Sequence, residues 1–482
     1  MSTITVSDRS ELLSALGSAR ASDTIVLEAG SYGSLDIAGV AFSDYVTIRS
    51  ETPLAARFTD ISVEASSHVR IDGVHVDNPG NGAWGSKLVS IDNSAHVQFV
   101  NSEINGRVDD DYLGFYALNT RDSTDVTFAN NYIHDVVKGG VFYTTEGLNI
   151  VGNQADYIGT DMFQFVGNHG LLIENNIGPR HAYPPPGAHA DFMQFTGSDS
   201  SDITIRGNVL LPENWTNLQG IYLDDAHYTD VLIEQNIIVT GMFRGISVSS
   251  GTNVVARDNT VLDVEGAGSK ATKVTVDGTS YGNLMESYWQ EAGPDGSNFI
   301  LQQEDSARPH YAGDVFQNFT DGRGVTLEDL RPVAGGPAET YGAHDRLVEL
   351  AAARDVGHLY EAGLGRAADA AGLDFWTGVL LEGDLTEEDI AAHFLASPEF
   401  AARIGAPADA LSDEDFVELV YLNALDREGD AAGLDFWTDA LAAPGFDRAD
   451  LLVAFAESPE NRLAAPEIPG IGPVTDGFLD FL

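Results

Sequence analysis

One short phrase recurs through the middle of the chain and restricts its fold more than any other feature. From Val126 to Leu262, an apolar–x–apolar alternation runs repeatedly into a turn that carries asparagine. Val126-Thr-Phe-Ala-Asn-Asn131, Leu148-Asn-Ile-Val-Gly-Asn153 and Leu171-Leu-Ile-Glu-Asn-Asn176 show it first. Ile203-Thr-Ile-Arg-Gly-Asn208, Val231-Leu-Ile-Glu-Gln-Asn236 and Val254-Val-Ala-Arg-Asp-Asn259 follow. Successive asparagines (131, 153, 176, 208, 236, 259) are 22, 23, 32, 28 and 23 residues apart. A period near 22–23 with a few longer members is that of a stacked solenoid whose insertions enter at loops. The period-two alternation makes each half-repeat a strand with one face inward. Such a chain is expected to fold as an all-β right-handed parallel β-helix. The turn asparagine is expected to take left-handed geometry and to bond the asparagines of the coils above and below.

The chain carries 74 acidic and 25 basic side chains among its 482 residues, for a net charge of -49. That balance excludes nucleic acid and anionic membrane surfaces as partners, since both select for basic patches. It suits a salty or calcium-containing medium, in which cations screen the self-repulsion. Cysteine is absent, which removes disulfides and thiol chemistry. Met1-Ser-Thr-Ile-Thr-Val-Ser-Asp has neither the basic nor the apolar region of a signal peptide. No run reaches transmembrane length.

Residues 1–50 read as an N-terminal cap. Ser10-Glu-Leu-Leu-Ser-Ala-Leu has helical spacing, and Asp23-Thr-Ile-Val-Leu-Glu-Ala-Gly-Ser-Tyr32 gives a strand and a turn. A cap is needed because the first coil would otherwise present open strand edges. This opening, with Val46-Thr-Ile-Arg-Ser, resembles the start of the β-helical polysaccharide lyases, including the chondroitinase B and alginate lyase family. The resemblance covers roughly residues 3–330 and implies a pectate lyase-like fold acting on polysaccharide. It departs at the site: neither the alginate lyases' Asn-Lys-His stretch nor the mannuronan epimerases' Asp-Pro-His-Glu motif is present. The catalytic β-helix is expected to span 1–335, with Asn298-Phe-Ile-Leu and Gly324-Val-Thr-Leu as last, irregular coils. Residues 336–344 read as a linker.

Residues 345–465 are Ala/Leu/Asp-rich with helical period and hold a second repeat. Arg366-Ala-Ala-Asp-Ala-Ala-Gly-Leu-Asp-Phe-Trp376 recurs as Arg427-Glu-Gly-Asp-Ala-Ala-Gly-Leu-Asp-Phe-Trp437. This R-x-x-D-x-x-G-x-x-x-W motif resembles a helical domain of unknown function common in secreted bacterial proteins. The Arg–Asp pair is expected to fix a loop between helices, with Trp as a core plug. The acidic tail, 466–482, ends Phe-Leu-Asp-Phe-Leu and resembles an uncleaved type I secretion signal. Extracellular placement is therefore expected.

Chemistry is sought in a second ladder. Asp161-Met-Phe-Gln164-Phe and Asp191-Phe-Met-Gln194-Phe share a pattern on adjacent coils, stacking Asp161 over Asp191 and Gln164 over Gln194. Lys138 and His189 fall just upstream in the same alignment, and Arg244 beside Gln219. The chain has only four lysines, Lys87, Lys138, Lys270 and Lys273. Lys138 stands at the mouth of this ladder, whereas Lys270 and Lys273 lie outside the coil register. The longest insertion, Gly178 to His189, brings Arg180, His181 and Tyr183, and the next brings Trp215, which can stack on a sugar ring. His134 and His169 lie nearby. Each histidine alone reads more readily as a solvated turn residue. The two glutamines read equally well as an inward amide ladder.

A cationic pocket on a polyanionic protein selects an anionic ligand, and a uronic-acid polysaccharide fits an elongated groove. The expected chemistry is abstraction of the proton α to the uronate carboxylate, followed by β-elimination. Lys138, His189, Asp191, His181 and Arg244 are the catalytic candidates. Arg180, Tyr183, Gln164, Gln194, Trp215 and Tyr222 are the substrate-binding candidates. Asp161, Asp224 and Asp225 are weak candidates to hold Ca2+; no organic cofactor is implied. The polymer is expected to be a uronate-containing one, such as alginate or a glycosaminoglycan. A C5-epimerase would share the first step, and a glycoside hydrolase would use paired carboxylates such as Asp161/Asp191. A non-catalytic surface adhesin or matrix protein is the rival from another class.

Overall fold

The computed structural model describes residues 1–461 apart from 79, 81–82, 84, 107–113, 184–189, 212–217, 265–272, 287–296, 304–305, 321, 323 and 459–460. His189, Trp215, Lys270 and the tail 466–482 lie outside the described residues. The chain divides into two compact units, Met1–Arg346 and the residues from Leu347 on.

The first unit is the right-handed parallel β-helix anticipated from the repeat, and every pair of its named strands runs parallel. One coil serves for all. Thr124–Ala129 belongs to a first, 12-stranded sheet; a two-residue turn leads to Tyr132–Val136 on a second sheet, and Lys138–Tyr143 follows at once on a third. The second and third sheets are joined at the start of the stack, where the long strand Ala56–Glu64 pairs with His75–Asp77 on one half and with Ser86–Asp92 on the other. The cap is the helix Arg9–Ser18, whose Asp8 accepts from the Glu11 amide and which buries Leu12 and Leu16.

Strand alternation fills the interior. Phe142, Phe165 and Phe195 stack in register with ring centroids 5.2 and 4.5 Å apart. All three are fully buried, so removing one such ring costs about 3–5 kcal/mol.

Asn131, Asn153, Asn176, Asn208, Asn236 and Asn259 form the ladder, completely buried. Each amide nitrogen donates to the amide oxygen of the next coil at 2.9–3.1 Å. The ladder runs on through Asn283 to Asn298, beyond the phrase that revealed it. One expectation is corrected. The ladder asparagines are not left-handed; the residue before each is, as at Asn130, Gly152, Asn175, Gly207, Gln235 and Asp258. The left-handed residue turns the chain, which leaves the next amide free to point inward and bond. A Ser/Thr/Asn row closes the other turn: Ser94 Oγ accepts from Ser66 N, Ser123 Oγ from Ser94 N, and Asn168 Oδ1 from Thr145 N.

Two of the three corners are nearly constant in length. The third, between the second and third sheets, is not: it runs from Val136 to Lys138 in one coil, Asn105 to Phe115 in another and Leu210 to Leu218 in a third.

The expected linker, 336–344, is packed rather than free. Ala338 and Ala343 are buried, Gly342 N donates to Gly282 O at 2.7 Å, and Ala343 N to Thr260 Oγ1 at 2.9 Å. Arg346, buried, closes the first unit by donating from Nε to Gly207 O at 2.9 Å. Of the two expected last coils, Phe299–Leu301 is a parallel strand, while Gly324–Leu327 forms none.

The second unit is helical, with its own core around Leu359, Phe394, Phe400, Phe416, Val420 and Phe455. The repeated motif has one local meaning in both copies. Asp369 and Asp430 are N-caps, accepting from Gly372 N and Gly433 N. A Cβ on either glycine would meet a tyrosine hydroxyl, Tyr360 at 2.3 Å or Tyr421 at 2.2 Å. The Arg–Asp pair is secondary: Arg366 stands 3.6 Å from Asp369 but grips Glu399 with two nitrogens, at 2.5 and 3.0 Å. Trp376 and Trp437 lie half-buried against the core rather than plugging it.

Candidate functional site

The third sheet brings one residue per coil into a single column in register, exposed at its first member, Lys87, and buried through its middle. Lys87 pairs in register with Tyr116, and Tyr116 with Lys138. The pairing of Gly140 with Phe163 carries Lys138 to Asp161, and that of Phe163 with Met193 carries Asp161 to Asp191. Asp191 pairs with Gln219, Ile221 with Ile246, which sets Gln219 beside Arg244, and Arg244 pairs with Lys273. The column thus reads Lys87, Tyr116, Lys138, Asp161, Asp191, Gln219, Arg244, Lys273. Adjacent members are about 4.8 Å apart along the axis. A parallel column three residues on holds Gln164, Gln194 and Tyr222.

The register corrects two expectations. Lys138 stands level with Asp161 rather than upstream of it. Lys273, expected outside the coil register, is a full member of the column. Three of the chain's four lysines therefore occupy one line of this acidic molecule.

Inside the column, the Lys138 ammonium is ion-paired with Asp161 and donates to Gln164 Oε1 at 2.9 Å. Asp161 also accepts from Asp191 N at 3.1 Å. Asp191 and Gln219 are wholly buried. Burial pushes the Asp191 carboxyl up, the Asp161 charge adds to the effect, and Lys138 and Arg244 offset only part, leaving it at about 8. At neutral pH Asp191 therefore holds a proton, one coil from the Lys138–Asp161 pair. Burial, with the charges of Tyr143 and Asp161, raises the Tyr116 phenol to about 12. The coil that supplies Gln219 comes in close: a Cβ on Gly220 would lie 2.0 Å from Gly245 O, so only glycine fits there.

Arg244 lays its guanidinium over the Tyr222 ring at 4.3 Å and over Phe243 at 4.8 Å. The Tyr222 hydroxyl donates to Asp224, and burial with that bond raises its pKa. Gln164 and Gln194 are half-buried and face outward, so the inward amide ladder is not what they form.

The remaining candidates lie elsewhere. His181 and Tyr183 stand across the variable corner, beside the second-sheet strand Gln154–Ile158, where His181 Nδ1 is 3.2 Å from the Asp156 carboxylate. Arg180 is buried. His169 is on the first sheet, bonded to Ser201 at 3.0 Å. His134 is on the second, 2.7 Å from Asp135 and 3.3 Å from Glu103; burial opposes its charge, but those carboxylates outweigh it and hold the ring at about 9.

Asp161, Asp224 and Asp225 do not make a calcium site. Asp161 is taken by Lys138, and Asp224 accepts from Tyr222 and from Ser249 at 2.5 Å. The register separates Asp161 from Asp224 by two coils and five strand positions, more than about 15 Å. The residues present do not fit the ion.

Sequence reasoning missed Tyr116, Lys87 and Lys273 as members of the column. Among the described residues no helix is long and apolar enough to cross a membrane.

Several solved structures are similar to the β-helix portion. One is an alginate lyase from Paenibacillus sp. str. FPU-7, 18% identical over 58% of this chain and 99% of that one, with a TM-score of 0.40. Another is a PL6 family polysaccharide lyase from Pseudopedobacter saltans, 14% identical over 71% and 99%, with a TM-score of 0.35. A third is PfbA, a surface adhesin of Streptococcus pneumoniae, 10% identical over 56% and 86%, with a TM-score of 0.34. No curated protein matches the chain. Residues 344–404 and 391–464 match the Domain of unknown function (DUF4214). Residues 59–178 match the right handed beta helix region family, so the chain carries a β-helix of that kind followed by the helical domain in two copies.

Proposed function

We propose that the β-helix binds a uronate-bearing polysaccharide along the column and cleaves it by β-elimination, outside the cell where such polymers lie. One observation carries the reading: three of four lysines and Arg244 share one line on a protein of net charge -49. The cations stand two, four and one coils apart, each coil about 4.8 Å, so an anionic chain laid along the column meets positive charge at several points.

Lys138 is the base. With water excluded by the bound chain, its ion pair with Asp161 loses support, and proton transfer to Asp161 frees the amine to take the C5 proton. Gln164 accepts from Lys138 through Oε1, which leaves its NH2 to hold the uronate carboxylate. Tyr116, one coil away and protonated throughout the neutral range, gives its proton to the departing oxygen. Arg244 and Lys273 hold carboxylates further along the chain.

The test is incubation with a panel of acidic polysaccharides, reading the ultraviolet absorbance of the unsaturated uronate. Lys138→Ala and Tyr116→Phe should each cut turnover about a hundredfold or more. No absorbance rise on any polymer sinks the lyase reading. Shortening without a double bond would favour the second reading, a hydrolase built on the Asp161/Asp191 pair, one carboxyl of which is protonated at neutrality. A changed C5 configuration without shortening would indicate an epimerase. Retention without turnover would indicate an adhesin.

A further inference from the structure

Tyr157 is an anomaly in the second sheet. Its backbone is left-handed, with φ of 50°, a conformation that bulky side chains avoid. The equivalent position one coil earlier is also left-handed, and there the residue is Asp135, which tolerates it. The tyrosine is not a core residue, since 37% of its surface is exposed. Backbone strain of this kind is found more often at functional sites than elsewhere.

What it is aimed into is a stack of rings. His181 lies parallel to Tyr157, with centroids 4.7 Å apart and planes 7° from each other. Tyr183, 52% exposed, stands 6.0 Å from Tyr157 at 20°. The stack is anchored at its base. Asp156 accepts from His181 N at 2.9 Å and faces its ring nitrogen at 3.2 Å, and Tyr183 N donates to Ile158 O at 2.9 Å. The backbone partners fix the order of the rings, and the carboxylate fixes the imidazole plane. This leaves an outward aromatic shelf with acceptors beside it. It lies about four strand positions, roughly 13 Å of chain, ahead of Asp161.

We infer that Tyr157, His181 and Tyr183 form a sugar-stacking subsite that takes a pyranose ring of the polymer bound at the column. A pyranose offers an apolar C–H face to an aromatic ring and hydroxyls at its rim to an exposed carboxylate such as Asp135. The inference rests on the polysaccharide reading and assigns His181 and Tyr183 to binding, away from the reacting atoms. They raise affinity without taking part in proton transfer.

The experiment uses the full chain on the same polysaccharide panel, with two readouts: initial rates, and retardation in native gels containing each polymer. On the best substrate, Tyr157→Ala and Tyr183→Ala should raise KM about tenfold with kcat nearly unchanged, the scale of one lost aromatic contact. Tyr183→Phe should behave as wild type, because the face and not the hydroxyl binds. Tyr157→Asp, which installs the residue found one coil earlier, should melt no lower than wild type yet lose the affinity, which separates binding from folding. If no double bond forms on any polymer but gel retardation still falls in the alanine variants, the lyase reading fails and the shelf stands. Unchanged KM and retardation in both alanine variants overturns the shelf, as does a wild type retarded by no polymer.

Discussion

In the asparagine ladder every coil contributes the same side chain, and each amide is buried against the next. In the column from Lys87 to Lys273 every coil contributes its own, and the two ends reach solvent. Both are one-residue-per-coil rows at the same spacing on the same scaffold. Identity serves the ladder because an amide is donor and acceptor at once, so like pairs with like without a leftover group. A column of identical charges would repel itself at about 4.8 Å. Mixing Lys, Tyr, Asp, Gln and Arg lets neighbours satisfy or perturb one another, and a perturbed group is one that can exchange a proton near neutrality. On the proposed function, the solenoid keeps its stability and its reactivity in separate rows.

The largest effect should come from breaking the ladder in mid-stack. Asn208 accepts from the backbone and side chain of Asn176 and donates to Ile173 O, Arg206 O and Asn236. Asn208→Ala strands several buried groups at about 1–3 kcal/mol each, so the melting temperature should fall steeply in circular dichroism, and the chain should tend to aggregate. Melting alongside wild type would show that the ladder is ornamental to stability.

Next in size is Asp191→Asn, which separates the rows by their pH response. A carboxyl raised to about 8 in the folded chain, against about 3.9 unfolded, makes the native state hold the extra proton between those values. Native stability therefore declines as pH rises through that window. The asparagine variant should escape the decline and gain on wild type up to about pH 8, in melts recorded at stepped pH. A constant difference between the two curves would mean that Asp191 is ionised in the fold.

A smaller effect is expected at Lys273. As a column member it should lose polymer affinity several-fold on change to alanine, more at low salt than at high, with melting unchanged. Full affinity at low salt would end the column at Arg244. The smallest effect belongs to chelation. With Asp161 and Asp224 each bonded within the protein, excess chelator should leave the melting temperature of the β-helix where it was; a drop would reveal a cation that these residues do not account for.

The two rows also differ in how far they can be read from the chain alone. The ladder is legible because identical residues at a steady period mark themselves. The column is not, because its members differ and because counting forward from each asparagine crosses the corner of variable length. Counted back from the opposite turn, the register is plain: Lys87, Tyr116, Lys138 and Asp161 each stand seven residues before Ser94, Ser123, Thr145 and Asn168. That corner also explains why His181 and Tyr183 seem to belong with Lys138 in sequence but face another sheet. The left-handed backbone of Tyr157 has no sequence signal at all, since tyrosine is among the last residues that would be assigned it. The helical unit is legible in outline from its repeat, but the partner of Arg366, Glu399, lies 33 residues away, outside the motif.

The confinement of length variation to one corner has a consequence for how such a molecule can change over generations. Residues added there, as between Asn105 and Phe115, leave the two constant turns and the ladder in phase, so an insertion does not oblige the neighbouring coils to re-register. Those additions arrive next to the column. A lineage can therefore lengthen or shorten the chain at this corner without putting the ladder out of phase. On the proposed function, preference for one polymer over another can shift through changes at that corner while the hydrogen bonds of the ladder behind it are left intact.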